Sequence, residues 1–224
     1  MKNEQNETRQ KSPLCWVAGI LCALNLAAHL FLYSSLPELI PIHWNFRGEI
    51  DGWGPRWVDL VLCALPGLLL LLFRVLPAAD PKAENYRRFG GFYQAFALVL
   101  SLFMIGISWM APLQVLEVVN LEGRLPVLLI EGGIGVMFIL LGNYMPRVRQ
   151  NYFMGVKTPW ALADEHNWNR SQRMGGITFI VMGALMLLDG ILSGRLWFLS
   201  MGSVFVGVIW MYLYSYLVFK GKMK

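Results

Sequence analysis

The stretch VDLVLCALPGLLLLLFRVLP, residues 58–77, decides the fold class of this chain. Its residues are apolar or small, except for Asp59 near one end and Arg74 near the other. An α-helix of about 20 mostly apolar residues is long enough to cross the hydrocarbon core of a lipid bilayer. The stretch therefore predicts a transmembrane helix.

The rest of the chain has the same apolar character. Only 15% of its 224 residues are charged, whereas charged residues make up about 25% of a typical soluble domain. The stretches that could span a bilayer are residues 13–33, 58–77, 92–111, 125–144, 175–192 and 196–218. We therefore predict an all-α integral membrane protein, a bundle of six transmembrane helices with a structured outer loop and an interfacial cytoplasmic helix.

The basic residues predict the orientation of the chain. Fifteen of the 19 Lys and Arg residues fall in the two termini and in the connections after spans two and four, and the other four fall on the opposite side. Because cytoplasmic segments are enriched in Lys and Arg, both termini are predicted to be cytoplasmic. The net charge of +5 follows from this topology, so the bilayer is the predicted partner and a nucleic acid is not.

Three segments are predicted along the chain. Residues 1–12 form a polar, mobile cytoplasmic N-terminus; residues 13–111 form an N-terminal membrane domain; residues 112–224 form a second membrane domain. The first domain contains an outer loop over residues 34–57, whose three prolines exclude a regular helix. The second contains a cytoplasmic loop over residues 145–174.

The cytoplasmic loop contains a helix signal. Thr158 can cap a helix, and Pro159 suits the first helical position, where its missing N–H costs nothing. Acidic residues follow near the start and basic residues near the end, an order that complements the helix dipole. We predict an interfacial helix that leads into span five, with Trp160 and Trp168 resting among the lipid headgroups.

Two motifs resemble a known family. The stretch GNYMPRVRQNYFMGVKTPWALADEHNWNRSQRMGG, residues 142–176, resembles the signature of the SdpI family of bacterial membrane proteins. The residues that carry this resemblance include Asn143, Pro146, Arg149, Asn151, Gly155, Lys157, Thr158, Pro159, Trp160, Glu165, Trp168 and Arg173. Family members often have Thr-His-Arg where this chain has Ser171-Gln172-Arg173.

The outer loop carries the second motif. The stretch LPELIPIHWNFRGEIDGWGPRW, residues 36–57, is similar to the N-terminal domain of unknown function that often precedes the SdpI signature. The residues that carry this similarity are Pro41, His43, Asn45, Gly48, Asp51 and Trp53. The resemblance implies a multi-pass immunity protein that protects a cell from an SDP-type antimicrobial peptide. It also implies, for some members, signalling to a cytoplasmic repressor.

Ionisable residues near the outer ends of the spans suggest where a peptide would bind. His29 lies near the outer end of span one, with Asn25 on the same helical face. Glu131 lies about 9 Å deep in span four, whereas Asp59 and Asp189 are expected to reach the headgroups. We expect a polar cavity beneath the outer loop that holds the arriving peptide. The predicted binding residues are Asn25, His29, His43, Asp51, Glu131 and Asp189.

The sequence leaves two other functions to consider. A small transporter or channel could use His29, Glu131 and Asp189 as a polar path. A membrane-embedded hydrolase is disfavoured because the sequence has neither His-Glu-x-x-His nor Gly-x-Ser-x-Gly. The three histidines and the three cysteines show no metal-ligand spacing. No catalytic residue, metal site or cofactor is therefore predicted.

Overall fold

The computed structural model describes residues 13–223, so the N-terminus predicted over residues 1–12 lies outside the described residues. In chain order the main helices and strands are α1 (Pro13–Leu32), β1 (Leu39–Trp44), β2 (Ile50–Pro55), α2 (Trp57–Ala79), α3 (Gly90–Ser108), α4 (Met110–Val115), α5 (Arg124–Val127), α6 (Gly133–Tyr144), α7 (Pro159–Ala163), α8 (Glu165–Ile191) and α9 (Trp197–Phe219). A π-helical turn, Leu128–Gly132, joins α5 to α6.

Six helical segments are long and apolar enough to cross a membrane. They are Pro13–Ser35, Trp57–Ala79, Gly90–Val115, Arg124–Arg147, Glu165–Ile191 and Trp197–Phe219. The chain is therefore an all-α, multi-pass membrane protein, as the hydrophobic stretches predict. The fifth segment begins ten residues earlier than the predicted span because α8 continues without interruption through the polar residues that precede residue 175.

The described chain divides into two compact units. The first contains the chain up to Val75 together with Tyr93–Pro126, and the second contains Leu76–Phe92 and the chain from Val127 onward. The domains predicted over residues 13–111 and 112–224 remain a prediction.

In the first unit, the outer loop folds into an antiparallel hairpin of β1 and β2. Its turn is held by Asn45, whose side-chain oxygen accepts hydrogen bonds from the backbone N–H groups of Arg47 (2.8 Å) and Glu49 (3.0 Å). Gly48 supplies the positive φ of +74° that this turn requires. Proline excluded a helix here, as expected, but it did not exclude a strand, because Pro41 occupies a position where no ladder hydrogen bond is needed.

The hairpin is fixed to the segment that follows α4. The indole N–H of Trp44 donates to the carbonyl of Leu121 (2.7 Å), and the N–H of Gly123 donates to the carbonyl of Gly48 (2.9 Å). A Cβ atom at Gly48 would lie 1.8 Å from the carbonyl oxygen of Gly123. Only glycine therefore permits this approach.

In the second unit, α6 and α8 pack with their backbones in direct contact. A Cβ atom at Gly135 would lie 2.6 Å from the carbonyl oxygen of Gly183, and one at Gly142 would lie 2.5 Å from that of Gly176. Helices in lipid gain little from hydrophobic association, so close packing across small residues contributes much of their attraction.

The helix predicted within the loop over residues 145–174 differs from its prediction. Thr158 caps it as expected, accepting a hydrogen bond from the N–H of Ala161 (3.1 Å), but α7 ends at Ala163. Asp164 then adopts an extended conformation and caps α8 by accepting from the N–H of Asn167 (2.8 Å). An aspartate favours the N-cap over a helix interior. The predicted helix is thus divided, and its C-terminal part is continuous with span five.

Candidate functional site

A buried histidine–aspartate hydrogen bond joins α1 and α2 in the first unit. The Nδ1 atom of His29 lies 3.0 Å from both carboxylate oxygens of Asp59, and neither side chain is exposed. A carboxylate oxygen accepts hydrogen bonds, so the tautomer of His29 with a proton on Nδ1 is the one that donates to Asp59. Asp59 was expected to reach the headgroups. That expectation is wrong, because the first turn of α2 directs Asp59 into the unit, where His29 compensates for its burial.

The third span completes this cluster. The hydroxyl of Ser108 lies 3.4 Å from Nε2 of His29, and the Trp109 ring lies 4.6 Å from the imidazole ring. Asn25 accepts a hydrogen bond from the indole N–H of Trp109 (2.8 Å) and donates to the carbonyl of Cys63 (3.2 Å). Asn25 and His29 share one face of α1, as their spacing predicts.

The hairpin carries a second histidine–aspartate pair, and this one is exposed. Nδ1 of His43 lies 2.5 Å from Oδ1 of Asp51, with 68% and 45% of the two side chains exposed. Since solvent screens such a pair, it contributes little to stability. It does place a polar, titratable group on the hairpin surface, where a ligand can reach it.

The second unit contains a cluster of two carboxylates. The hydroxyl of Ser200 lies 2.5 Å from Oε1 of Glu131 and 3.3 Å from Oδ2 of Asp189. The other oxygen of Asp189 accepts a hydrogen bond from the N–H of Leu196 (2.6 Å). All three side chains are buried. The expectation that Asp189 reaches the headgroups is therefore wrong, because this carboxylate binds the backbone that leads into α9.

The predicted binding residues thus fall into two sets. The first unit contains Asn25, His29, His43 and Asp51, and the second contains Glu131 and Asp189. Within the first set only the hairpin residues are exposed. A role for any of these residues in binding a peptide remains a prediction.

Sequence reasoning alone does not identify some members of these clusters. Ser108, Trp109 and Ser200 received no role from the sequence, and Asp59 was left out of the predicted binding residues. Serine and tryptophan are ordinary residues in a membrane span, so only their partners identify them. A signal did exist for Asp59, because an ionisable residue in a span usually faces the protein interior.

The buried part of the signature segment holds its backbone in place. The side chain of Gln172 donates to the carbonyl of Val156 and accepts from its N–H, each at 3.0 Å. Trp168 donates from its indole N–H to the carbonyl of Val148 (2.9 Å) and is fully buried. The prediction that Trp168 rests among headgroups is therefore wrong. Trp168 lies on the inner face of α8, where its N–H provides the hydrogen bond that the buried loop carbonyl needs.

Two other signature residues are equally enclosed. Asn151 accepts from the N–H groups of Phe153 (2.9 Å) and Met154 (2.7 Å), which closes a tight turn. The hydroxyl of Thr158 lies 2.5 Å from that of Ser215 in α9. Ser215 also donates to Asn167 (2.8 Å), so this network joins the loop, α8 and α9.

The connection between α2 and α3 supports the same loop. Asp80 accepts hydrogen bonds from the hydroxyl of Tyr86 and from the N–H of Tyr152, each at 2.9 Å. Asn85 donates to the carbonyl of Gln150 (2.7 Å), and Lys82 donates to the Gln150 side chain. A short loop between spans thus shapes the signature segment.

The remaining signature residues lie at or near the surface. Those that are exposed are Asn143, Pro146, Lys157, Pro159, Glu165 and Arg173, and those that are half-buried are Arg149, Gly155 and Trp160. The Trp160 ring lies 5.2 Å from that of Tyr216 in α9. The exposed signature residues are thus mostly polar, and Lys157 and Arg173 are cationic.

Within residues 13–223, no group of three or more His, Cys, Asp or Glu side chains could hold a metal ion. The three cysteines are free thiols.

Comparisons with known proteins agree with both motifs. The model of the SdpI/YfhL protein family matches residues 147–215, and that of a domain of unknown function, DUF1648, matches residues 20–70. The Immunity protein SdpI of Bacillus subtilis (strain 168) is 25% identical over 183 residues, which cover 80% of this chain and 82% of that protein. No solved structure matches the chain. The resemblance drawn from the motifs is confirmed, and an immunity function is supported at the level of the family.

Proposed function

We propose that this chain acts as its similarity to the SdpI family implies, and that it protects its cell from an SDP-type antimicrobial peptide by binding or blocking the peptide at the membrane. The observation that carries the proposal is the similarity to an immunity protein over four-fifths of both chains. Protection by binding needs no catalytic step.

The outer hairpin is the surface that suits an arriving peptide. Trp53 in β2 is 56% exposed and Phe46 in the turn is 49% exposed, while Trp57, the first residue of the adjoining α2, is 57% exposed. Aromatic residues are enriched at protein interfaces because they bury a large area and keep a polar edge. The charge asymmetry supports placing this hairpin outside the cell and both termini in the cytoplasm.

The deep polar residues predicted to bind the peptide are each buried within their own unit. A peptide that touched His29 or Asp189 would have to separate packed helices, because these side chains are at most 1% exposed. Their bonds to Asp59 and Ser200 instead hold neighbouring spans together. We therefore assign Asn25, His29, Glu131 and Asp189 an indirect part in protection.

Signalling to a cytoplasmic repressor would use the opposite side. Lys157, Glu165 and Arg173 are exposed on the signature segment, which the predicted topology places in the cytoplasm. Their neighbours are held by buried hydrogen bonds, so this surface has a defined shape. A repressor that binds membranes containing the wild-type chain, and not those containing a Lys157→Glu, Arg173→Glu variant, would support this role.

Transport has weaker support. A polar path needs side chains that face water, whereas His29 bonds to Asp59, and Glu131 bonds to Ser200. Peptide-dependent ion or substrate flux through proteoliposomes that contain the purified chain would be the sign of a transporter.

Protection is tested by producing the chain in a peptide-sensitive bacterium and adding an SDP-type peptide. We expect cells that produce the wild-type chain to survive better than cells without it. Cells that produce Trp53→Ala should survive less well than the wild type, and cells that produce Trp16→Ala should survive as well as the wild type. Trp16 is also exposed, at 64%, but it lies in the first turn of α1, near the predicted cytoplasmic side. Sensitivity that is unchanged by a wild-type chain present in the membrane would contradict the proposal.

A further inference from the structure

The hydrogen-bond register of the hairpin shows which backbone groups face outward. The N–H of Arg56 donates to the carbonyl of Glu38 (2.9 Å), and Leu39 and Pro41 then stand opposite Pro55 and Trp53. Hydrogen-bonded and non-hydrogen-bonded pairs alternate along an antiparallel ladder. The pair of Pro41 and Trp53 is therefore non-hydrogen-bonded, and the N–H and C=O of Trp53 point away from β1.

The outer edge of β1 is closed. Pro41 has no N–H to offer on that side, which is a common way to protect an edge strand. In addition, β1 packs against α4, and the Trp44 indole is bonded to Leu121 in the segment that follows α4.

The outer edge of β2 is open. Across residues 13–223, β1 is the only strand that pairs with β2, and no other segment forms a hydrogen bond with the main chain of Ile50–Pro55. The Trp53 side chain beside this edge is more than half exposed. An edge strand with unpaired N–H and C=O groups is the chemical complement of another extended chain.

The charge of β2 indicates which kind of segment can bind at this edge. Asp51 is the only charged residue in β2, and nearly half of its side chain is exposed. Oδ1 of Asp51 contacts the exposed His43, and a basic residue on an adjacent strand would complement the other carboxylate oxygen. A second copy of this chain would place another aspartate at the same edge, so self-pairing is disfavoured.

We propose that the β2 edge at Trp53 takes up an extended segment of the antimicrobial peptide as a third strand. One peptide residue exchanges two hydrogen bonds with the main chain of Trp53, and a basic peptide side chain lies beside Asp51. This inference rests on the proposed function, because the peptide is its occupant.

The first test separates the backbone of residue 53 from its side chain. The full-length chain is placed in lipid nanodiscs, and the affinity for a synthetic SDP-type peptide is measured for the wild type, Trp53→Ala and Trp53→Pro. Both variants lose the indole, but only proline also loses the edge N–H, which the hairpin itself does not use. We expect Trp53→Pro to bind about ten-fold more weakly than Trp53→Ala. Equal affinities would overturn the proposal.

A second test leaves the protein unchanged. Single N-methyl groups are placed at successive residues of the peptide, and binding to the wild-type chain is measured. We expect losses of about ten-fold at every second residue of one segment, because alternate N–H groups face each neighbour in a sheet. This test can be carried out even if the Trp53→Pro protein does not accumulate. Losses of affinity that do not alternate along the peptide would overturn the proposal.

Different results would exclude the immunity function and the binding of the peptide at the β2 edge. If the unmodified peptide binds and the chain protects, but proline and N-methylation have no specific effect, the edge is excluded and the immunity function stands. If the unmodified peptide does not bind and the chain does not protect cells from it, both the edge proposal and the immunity function are excluded. If Trp53→Pro lowers cross-linking between copies of the chain without changing peptide affinity, the edge pairs two copies, and the proposal is overturned.

Discussion

His29 and Asp59 form a buried pair in which one imidazole N–H meets both carboxylate oxygens at 3.0 Å. The two residues lie 30 positions apart, on two spans separated by the outer hairpin. Burial of a lone carboxylate is costly, so the pair favours the arrangement in which α1 and α2 bring these side chains together. The hairpin between the two helices is thereby held at a defined end of the first unit.

Removing one partner of this pair should destabilise the protein. Asp59→Ala leaves His29 buried without its acceptor, and we expect the free energy of unfolding to fall by about 3 kcal/mol. Asp51→Ala breaks the exposed pair on the hairpin, where solvent screening limits the loss to less than about 1 kcal/mol. Unfolding in detergent micelles, followed by tryptophan fluorescence, compares the two variants. Equal losses would show that burial does not govern the strength of these pairs.

The hydroxyl of Ser200 should stabilise the second unit. Ser200→Ala removes the hydroxyl that lies between Glu131 and Asp189, and we expect a loss of about 1–3 kcal/mol because a buried carboxylate loses its hydrogen-bond donor. Ser203→Ala is the matched control, since that hydroxyl donates only to a backbone carbonyl three residues earlier. Thermal unfolding of the two purified variants is the measurement. A Ser200→Ala protein as stable as Ser203→Ala would contradict the assignment.

Two glycines with nearly the same backbone conformation should respond differently to alanine. Gly48 and Gly123 have φ values of +74° and +73°, so either substitution introduces similar backbone strain. A Cβ atom at Gly48 would also collide with the carbonyl of Gly123, whereas one at Gly123 would meet nothing within 4 Å. We expect Gly48→Ala to be less stable than Gly123→Ala by about 1–3 kcal/mol, measured as thermal unfolding. Equal stability would mean that the hairpin does not dock in this way.

The departure from the family pattern at Gln172 has a measurable consequence. Gln172→Ala leaves both the N–H and the C=O of Val156 without their partner, and we expect a loss of about 1–3 kcal/mol. Gln172→His, which restores the residue common in the family, should lie between alanine and the wild type. The nitrogens of an imidazole point in different directions, so they cannot bond both the N–H and the C=O of Val156. Arg173→Ala, at an exposed neighbour, is the control. Membrane abundance and thermal unfolding are measured for all of these variants. A Gln172→Ala protein as stable as the wild type would contradict the prediction.

The orientation can be tested with single cysteines. In a chain with Cys15, Cys22 and Cys63 changed to alanine, we expect Arg47→Cys to react with a membrane-impermeant thiol reagent in intact cells. Lys157→Cys should react only after permeabilisation. Both positions are exposed, so accessibility within the protein does not limit either reaction. The reverse pattern would contradict cytoplasmic termini.

The sequence could predict the spans because the length and hydrophobicity of a helix are local properties. It could also predict that Thr158 caps a helix, since the cap and the N–H group that it binds are three residues apart. It could not predict that Asp164 ends this helix and begins the next. At that position helix continuation competes with a second cap, and the sequence shows a suitable residue for both.

Asp59, Asp189 and Trp168 show the limit of such reasoning. Each lies where hydropathy and position suggest the membrane interface, yet each is fully buried. Whether a polar group near the end of a span reaches the headgroups or turns inward depends on the rotation of its helix. That rotation is fixed by partners such as His29 and Ser200, which come from other helices.

The sequence by itself therefore determined the number of spans, the approximate ends of most of them, the family resemblance and the charge asymmetry, because these depend on composition and on patterns within single segments. Only the tertiary structure decided which polar side chains are partners, and that the outer loop is a hairpin with one closed and one open edge. The pairing of Pro41 with Trp53 illustrates the reason. Which backbone groups face outward depends on register, and in this hairpin the register is set by the turn geometry and by the irregular pairing between Pro41 and Trp44, which no sequence pattern marks.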